Sequence, residues 1–138
     1  MKKFFILGIL CLSLIFVLGC IGQDEPEDVV SDYFNSITRI RPDFKKAYNL
    51  LSSNVQEDLG YVEFYKEMSI NSARYGYEYN FELLECEIIE ETKDFSIVKI
   101  TYSLESRVYR VVLSIEETNV SLVKENNNWK IDELFDPF

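Results

Sequence analysis

The sequence predicts an α+β domain in which three N-terminal helices pack on a curved, four-stranded antiparallel sheet. Apolar residues recur at helical spacing from Val29 to Met68, then alternate with polar ones from Tyr75 onward. The alternation also slips by one position at Leu83-Leu84. Such a slip turns the following side chains to the opposite face unless one extra residue is accommodated, so a bulge there bends a long strand. No linker, repeat or low-complexity tract interrupts residues 26–138, which read as one cored domain.

Taken in order, Pro26 suits the first turn of a helix, and Asp24, Glu25, Glu27 and Asp28 complement its dipole. Val29 or Val30, Tyr33 with Phe34, and Ile37 form its apolar stripe. A second helix starts at Pro42 and turns Phe44, Ala47, Tyr48 and Leu51 inward. Ser53 and Gln56 have capping-box spacing and open a third, which Gly60 breaks or kinks before Tyr61, Phe64, Tyr65 and Met68 resume the stripe. Tyr75, Tyr77, Tyr79, Phe81 and Leu83 then lead the bent strand, which continues through Cys86 and Ile88. A second strand covers Phe95–Leu104, and strand signals run again from Val108 to Val123. The intervening turn falls at Ser103–Arg107 or at Glu116–Asn119. Asn126-Asn127-Asn128 makes a hairpin turn into Trp129-Lys130-Ile131.

Residues 1–19 read as an address. Lys2 and Lys3 precede the largely apolar run Phe4–Leu18, whose helical length of about 22 Å falls short of the roughly 30 Å of hydrocarbon in a bilayer. That is the pattern of a secretory signal peptide. Val17-Leu18-Gly19-Cys20 resembles the lipobox of prokaryotic lipoprotein precursors, although Val17 and Leu18 replace its commonest leucine and small residue. The resemblance implies cleavage between Gly19 and Cys20, a lipid on the Cys20 thiol, and a membrane-anchored domain facing outside the cytoplasm. An uncleaved anchor helix is the alternative. Residues 20–25 then form the lipidated terminus and a short tether; Ile21–Glu25 reaches at most about 18 Å.

The whole chain has 14 Lys+Arg against 24 Asp+Glu, a net charge of −10. Loss of Lys2 and Lys3 leaves 12 against 24, or −12. A surplus of acid argues against a nucleic-acid partner and against a membrane held by charge, so the lipid on Cys20 is the expected membrane contact. The chain contains no histidine, which removes Ser-His-Asp and Cys-His nucleophilic sites and any His-ligated metal. Cys11 falls in the apolar run and Cys20 is the lipid acceptor. Cys86 therefore has no disulfide partner and reads as a small apolar packing residue.

Tyr33 to Ile37 and Asp43 to Leu51 look like the opening of small NTF2-like (cystatin-like) lipoprotein domains of unknown function, of the DUF4878 kind. Leu122-Val123-Lys124-Glu125 and Trp129-Lys130-Ile131 are similar to that group's last hairpin. The resemblance implies an NTF2-like cone, which in the wider superfamily houses ligands or catalysis, and a homodimer through the sheet. A steroid-isomerase-like site would need a tyrosine donor and an aspartate in an apolar pocket. No Asp falls in an apolar strand phase here, so no catalytic residue is assigned; Tyr/carboxylate acid–base chemistry in the cone is the rival reading.

Tyr75, Tyr77 and Tyr79 are the candidate ligand-binding row, a cleft face for a small amphipathic molecule. An envelope protein on the sheet is the other expected partner. Tyr33, Tyr48, Tyr65 and Trp129 read as core. Glu82, Glu85, Glu87, Glu90 and Glu91 lack the spacing of a calcium loop and read as a solvated, edge-guarding face. Arg74, Arg107 and Arg110 are expected to pair with glutamates, and Asn119-Val120-Ser121 is a glycosylation triplet. No metal or cofactor is expected.

Overall fold

A computed structural model describes residues 24–138. The proposed signal segment 1–19 with Cys11, and the cleavage site at Gly19 and Cys20, lie outside the described residues. Helix α1 spans Pro26–Thr38, α2 Phe44–Asn49, α3 Ser53–Asp58 and α4 Tyr61–Tyr75. Strands β1 (Tyr79–Glu91), β2 (Phe95–Ser106), β3 (Val111–Glu125) and β4 (Asn128–Ile131) form one antiparallel sheet in sequential order. The fold class is as the sequence predicts, with the third helix divided at Gly60 into α3 and α4.

Local chemistry sets the helix ends. Pro26 opens α1, and Glu27 and Asp28 lie in its first turn. The second helix begins at Phe44 rather than Pro42 because Asp43 is its cap, accepting from the Lys46 N–H at 2.9 Å. The capping-box expectation for the third helix is off by one residue. Ser52, fully buried, accepts from the Val55 N–H at 3.3 Å, and its hydroxyl donates to Asp132 at 2.7 Å. Gln56 instead reaches back to the carbonyls of Tyr48 and Leu51 at 2.9 and 3.1 Å.

The predicted bulge is present. Leu83 faces Tyr102 and Glu85 faces Thr101, so Leu84 is the extra residue; Ile89 is a second one on the same strand. Leu113 plays the same part on β3. The turn between β2 and β3 occupies 107–110, at the edge of the first expected position, and the Glu116–Asn119 alternative lies within β3. Asn126 and Asn127 hold φ of 51° and 65°, the left-handed pair that a two-residue hairpin turn requires.

The core lies between α1, α2, α4 and the concave face of the sheet. Val30, Tyr33, Phe34, Ile37, Phe64 and Met68 meet Val98, Ile100, Val120, Leu122 and Ile131 there, all without solvent exposure. Tyr48 and Trp129 are buried as expected. Tyr65 is not: half of it is exposed, because it sits edge-on against Phe44 at 5.6 Å on the outer flank of the helices. Cys86 is half-buried and free, and packs against the core.

Candidate functional site

The expected tyrosine row is not a strand face. The backbone stays helical through Tyr75, and the Gly76 N–H donates to the Ser72 carbonyl at 2.8 Å. Tyr75 therefore ends α4, Tyr77 sits in the following turn with 84% exposure, and Tyr79 is the first residue of β1. The rings of Tyr75 and Tyr79 are 6.5 Å apart, and Tyr77 points elsewhere, into a cleft described below. Alternation across a helix end and a turn mimics a strand, since three residues of turn preserve the spacing but not the face.

The cone is closed by its own chain. After β4, residues 132–138 cross the concave face strand by strand. The Ser121 N–H on β3 donates to Glu133 at 2.9 Å, Phe135 packs on Tyr102 of β2 at 6.1 Å, and Phe138 meets Phe81 of β1 edge-on at 5.1 Å. Phe135 also stacks on Phe34 of α1 at 6.2 Å. Two hydrogen bonds fasten this strap to the helices. Tyr33 donates its hydroxyl proton to the Phe135 carbonyl at 2.9 Å, and the Asn71 amide donates to Asp136 at 2.6 Å.

These contacts bear on acid–base chemistry. The Tyr33 hydroxyl is committed to a carbonyl, and burial, then the nearby Asp136 and Glu67, push its pKa well above the usual tyrosine value. Tyr48 donates to the backbone carbonyls of Gln56 and Leu59. Tyr102 is raised by burial and then by Glu116 and Asp136. No side-chain hydrogen bond joins a tyrosine to a carboxylate among the described residues, and no Asp or Glu residue is buried as a whole there, although Glu27 turns its Oε2 out of solvent without a partner. Cys86 is pushed up to about 11 by partial burial and then by Glu27 and Asp28, which keeps it a thiol at neutral pH.

Open space lies at one end of the cone. Three segments meet there: the α1–α2 connection, the end of α4 with its turn into β1, and the β2–β3 turn. They enclose a cleft of about 370 Å³ whose lining includes Arg39, Ile40, Phe44, Ser72, Tyr77 and Arg107. A neighbouring, wider cleft of about 600 Å³ shares Arg39, Ile40 and Arg107 and adds Arg41 and Phe81. Arg107 is fixed between them, its Nε–H donating to the carbonyls of Gly76 at 3.0 Å and Tyr79 at 2.8 Å.

The expected Arg–Glu pairs do not form. Arg74 lies over the Tyr75 ring at 5.4 Å, and among the described residues neither Arg107 nor Arg110 pairs with a carboxylate. Backbone carbonyls hold the Arg107 side chain, and the Tyr75 ring lies under Arg74. The sequence contains five arginines, at 39, 41, 74, 107 and 110, and all lie on these three segments. Sequence reasoning missed this convergence because the three segments are far apart along the chain; the one available signal was that arginine, unlike lysine, is confined to predicted element ends.

The glutamates behave as expected. Glu82, Glu85, Glu87, Glu90 and Glu91 are exposed on β1, the sheet edge, and Glu87 pairs with Lys99 at 3.0 Å. Pairing register continues the acidic character over the convex face, where Glu85, Thr101 and Glu117 form one cross-strand row. Among the described residues no group of three or more His, Cys, Asp or Glu is placed to hold a metal.

No family model matches the chain, and no curated protein is detectably similar in sequence. Solved structures do match. A crystal structure titled "putative ketosteroid isomerase" from Shewanella frigidimarina aligns with a TM-score of 0.58 at 16% identity, over 80% of this chain and 93% of that one. A SEC-C motif-containing protein from Rhodopseudomonas palustris aligns with a TM-score of 0.48 at 13% identity, over 78% and 75% of the two chains. The first of these likenesses supports an NTF2-like fold for this chain; at such identity it carries no activity.

Proposed function

We propose that this chain is a membrane-anchored lipoprotein facing outside the cytoplasm, whose NTF2-like domain is a non-catalytic binding module for an envelope protein. The observation that carries the reading is the closed cone. The space in which this fold can house a ligand or a reaction is filled by Phe34, Tyr102, Phe135 and Phe138. A small amphipathic ligand has to bind at the arginine-lined clefts instead, and a protein partner has to use the outer surface. The rival reading, an enzyme with Tyr/carboxylate chemistry, cannot use Tyr33, whose hydroxyl is committed to the Phe135 carbonyl. It would have to rest on Tyr102, which lines a cleft with Glu116 and Asp136.

The outer surface favours a partner over self-association through the sheet. A homodimer through the convex face would lay the Glu85–Thr101–Glu117 row against its own copy. Like charges so opposed are unfavourable, whereas a basic partner is complementary. The free edge of β3 adds a second contact. β4 covers only Leu122–Glu125, and exposed Val111, Val112, Leu113 and Ile115 lie beyond it.

Two measurements test this. Cys20→Ala should abolish lipid incorporation and release the chain from membranes; unchanged fractionation supports the uncleaved anchor helix. The domain extracted from its own membrane should carry a protein and no stoichiometric small molecule. A small molecule released on unfolding at one per chain, with no protein partner, would overturn the protein-partner reading.

A further inference from the structure

We propose that the arginine-bearing end of the domain docks on the phosphate surface of an anionic phospholipid bilayer. Charge and apolar exposure coincide there. The domain carries twice as many acids as bases, yet no Asp or Glu lines either cleft; Arg39, Arg41 and Arg107 line them, and Arg74 and Arg110 stand on the same segments. On the same three segments stand Ile40, Tyr77, Val108 and Tyr109, exposed by 82, 84, 75 and 77%. Aliphatic and aromatic tips among guanidinium groups match the interfacial region of a bilayer, where rings and methyls enter the acyl boundary and arginines meet phosphates.

Two details support a built surface. Arg107 is oriented through Nε by two carbonyls, which leaves its terminal nitrogens for an anion. Arg110 holds φ at 53°, a conformation that favours Gly or Asn, so the turn carries a cation where a cheaper residue would fit.

Net charge does not oppose this contact as the composition alone implies. Glu87 lies eight residues along β1 from Tyr79, or about 26 Å, some three Debye lengths at physiological salt. Glu78 in the adjoining turn, Glu105 at the end of β2 and Asp43, which pairs with Arg39 at 3.5 Å, offset part of the local positive charge. Exposed Glu82 lies only about 10 Å along β1 from Tyr79. Five arginines against these four acids leave a small excess of arginine. The distant acids then orient the domain by repelling it from the same surface.

The geometry is compatible with the lipid anchor, on which only the choice of bilayer rests. Helix α1 separates the tether from the docking end by about 20 Å, and the tether reaches about 18 Å. The tether is therefore long enough for both ends to reach one bilayer while the exposed acids Asp28 and Asp32 of α1 stand off it.

The full chain would be reconstituted into vesicles of phosphatidylcholine, alone or with phosphatidylglycerol, and amide deuterium exchange followed in residues 39–41, 76–78 and 107–110. Slower exchange in all three segments is expected on the anionic vesicles alone, weakening as salt is raised. Arg41→Gln, at an exposed site, should lower the docked-to-free ratio about fivefold, the worth of one surface arginine; Tyr109→Ser should also lower it. Equal exchange on both vesicles, or protection indifferent to Arg41→Gln, overturns the proposal. Flotation reads the anchor separately. A chain that floats with both vesicles without protection overturns docking alone. Protection on anionic vesicles by a chain that fails to float with zwitterionic ones keeps docking and overturns the anchor.

Discussion

The two ends of strand β3 are built from the same residue types and have opposite fates. Val120 and Leu122 are completely buried, while Val111, Val112, Leu113 and Ile115 are 49, 59, 52 and 62% exposed. The difference lies in what covers them. The later half has β4 beside it and the core helices over its concave face; the earlier half projects with the β2–β3 turn beyond that cover. Apolar sequence makes both halves strand, but only the covered half is core. The uncovered half is free to meet a partner or, with the neighbouring turn, a membrane.

Substitutions can break this contrast directly. Leu122→Ala should cost about 2–5 kcal/mol, whereas Leu113→Ala should stay within about 0.5 kcal/mol. Chemical denaturation of both variants checks it, and similar losses would mean that the exposed half is covered in solution. Phe135→Ala sharpens the same point for the strap, since that ring is half-buried between Phe34 and Tyr102. A loss of about 2 kcal/mol is expected, together with new binding of an apolar dye. An unchanged dye signal would show that the strap does not close the cone.

The covered side also sets a pH limit. Tyr33 is raised above its ordinary value and Cys86 to about 11, so folding retains protons that the unfolded chain releases. Stability is therefore full below pH 9 and falls as pH rises through 9 to 11. Tyr33→Phe should remove the part of the alkaline loss that begins near pH 10 and leave the Cys86 part, at a cost of about 1 kcal/mol from the missing hydrogen bond. Alkylation reads Cys86 itself: below pH 9 its thiolate is about a hundredfold scarcer than in the unfolded chain, with a proportionate fall in rate. Equal rates in the folded and unfolded chains would refute the burial.

Most of the fold was legible because its signals are local. The stripes of α1 and α2, the break at Gly60, the slip at Leu83-Leu84 and the Asn126-Asn127 turn each depend on residues within one or two turns of chain. The site was legible only in part. Tyr75, Tyr77 and Tyr79 misled because a helix end and a turn reproduced strand alternation, and the arginines were assigned partners by composition when three distant segments decide their neighbours.

The sequence by itself determined the order of elements, the bent edge strand and its acidic guard, since periodicity and charge are properties of contiguous residues. Only the tertiary structure decided that the strap of Phe135 and Phe138 fills the cone and that every arginine gathers at one end. Both depend on contacts between residues far apart in the chain, such as the Tyr33 hydroxyl with the Phe135 carbonyl 102 residues away. No local pattern encodes such a contact; packing over the sheet creates it.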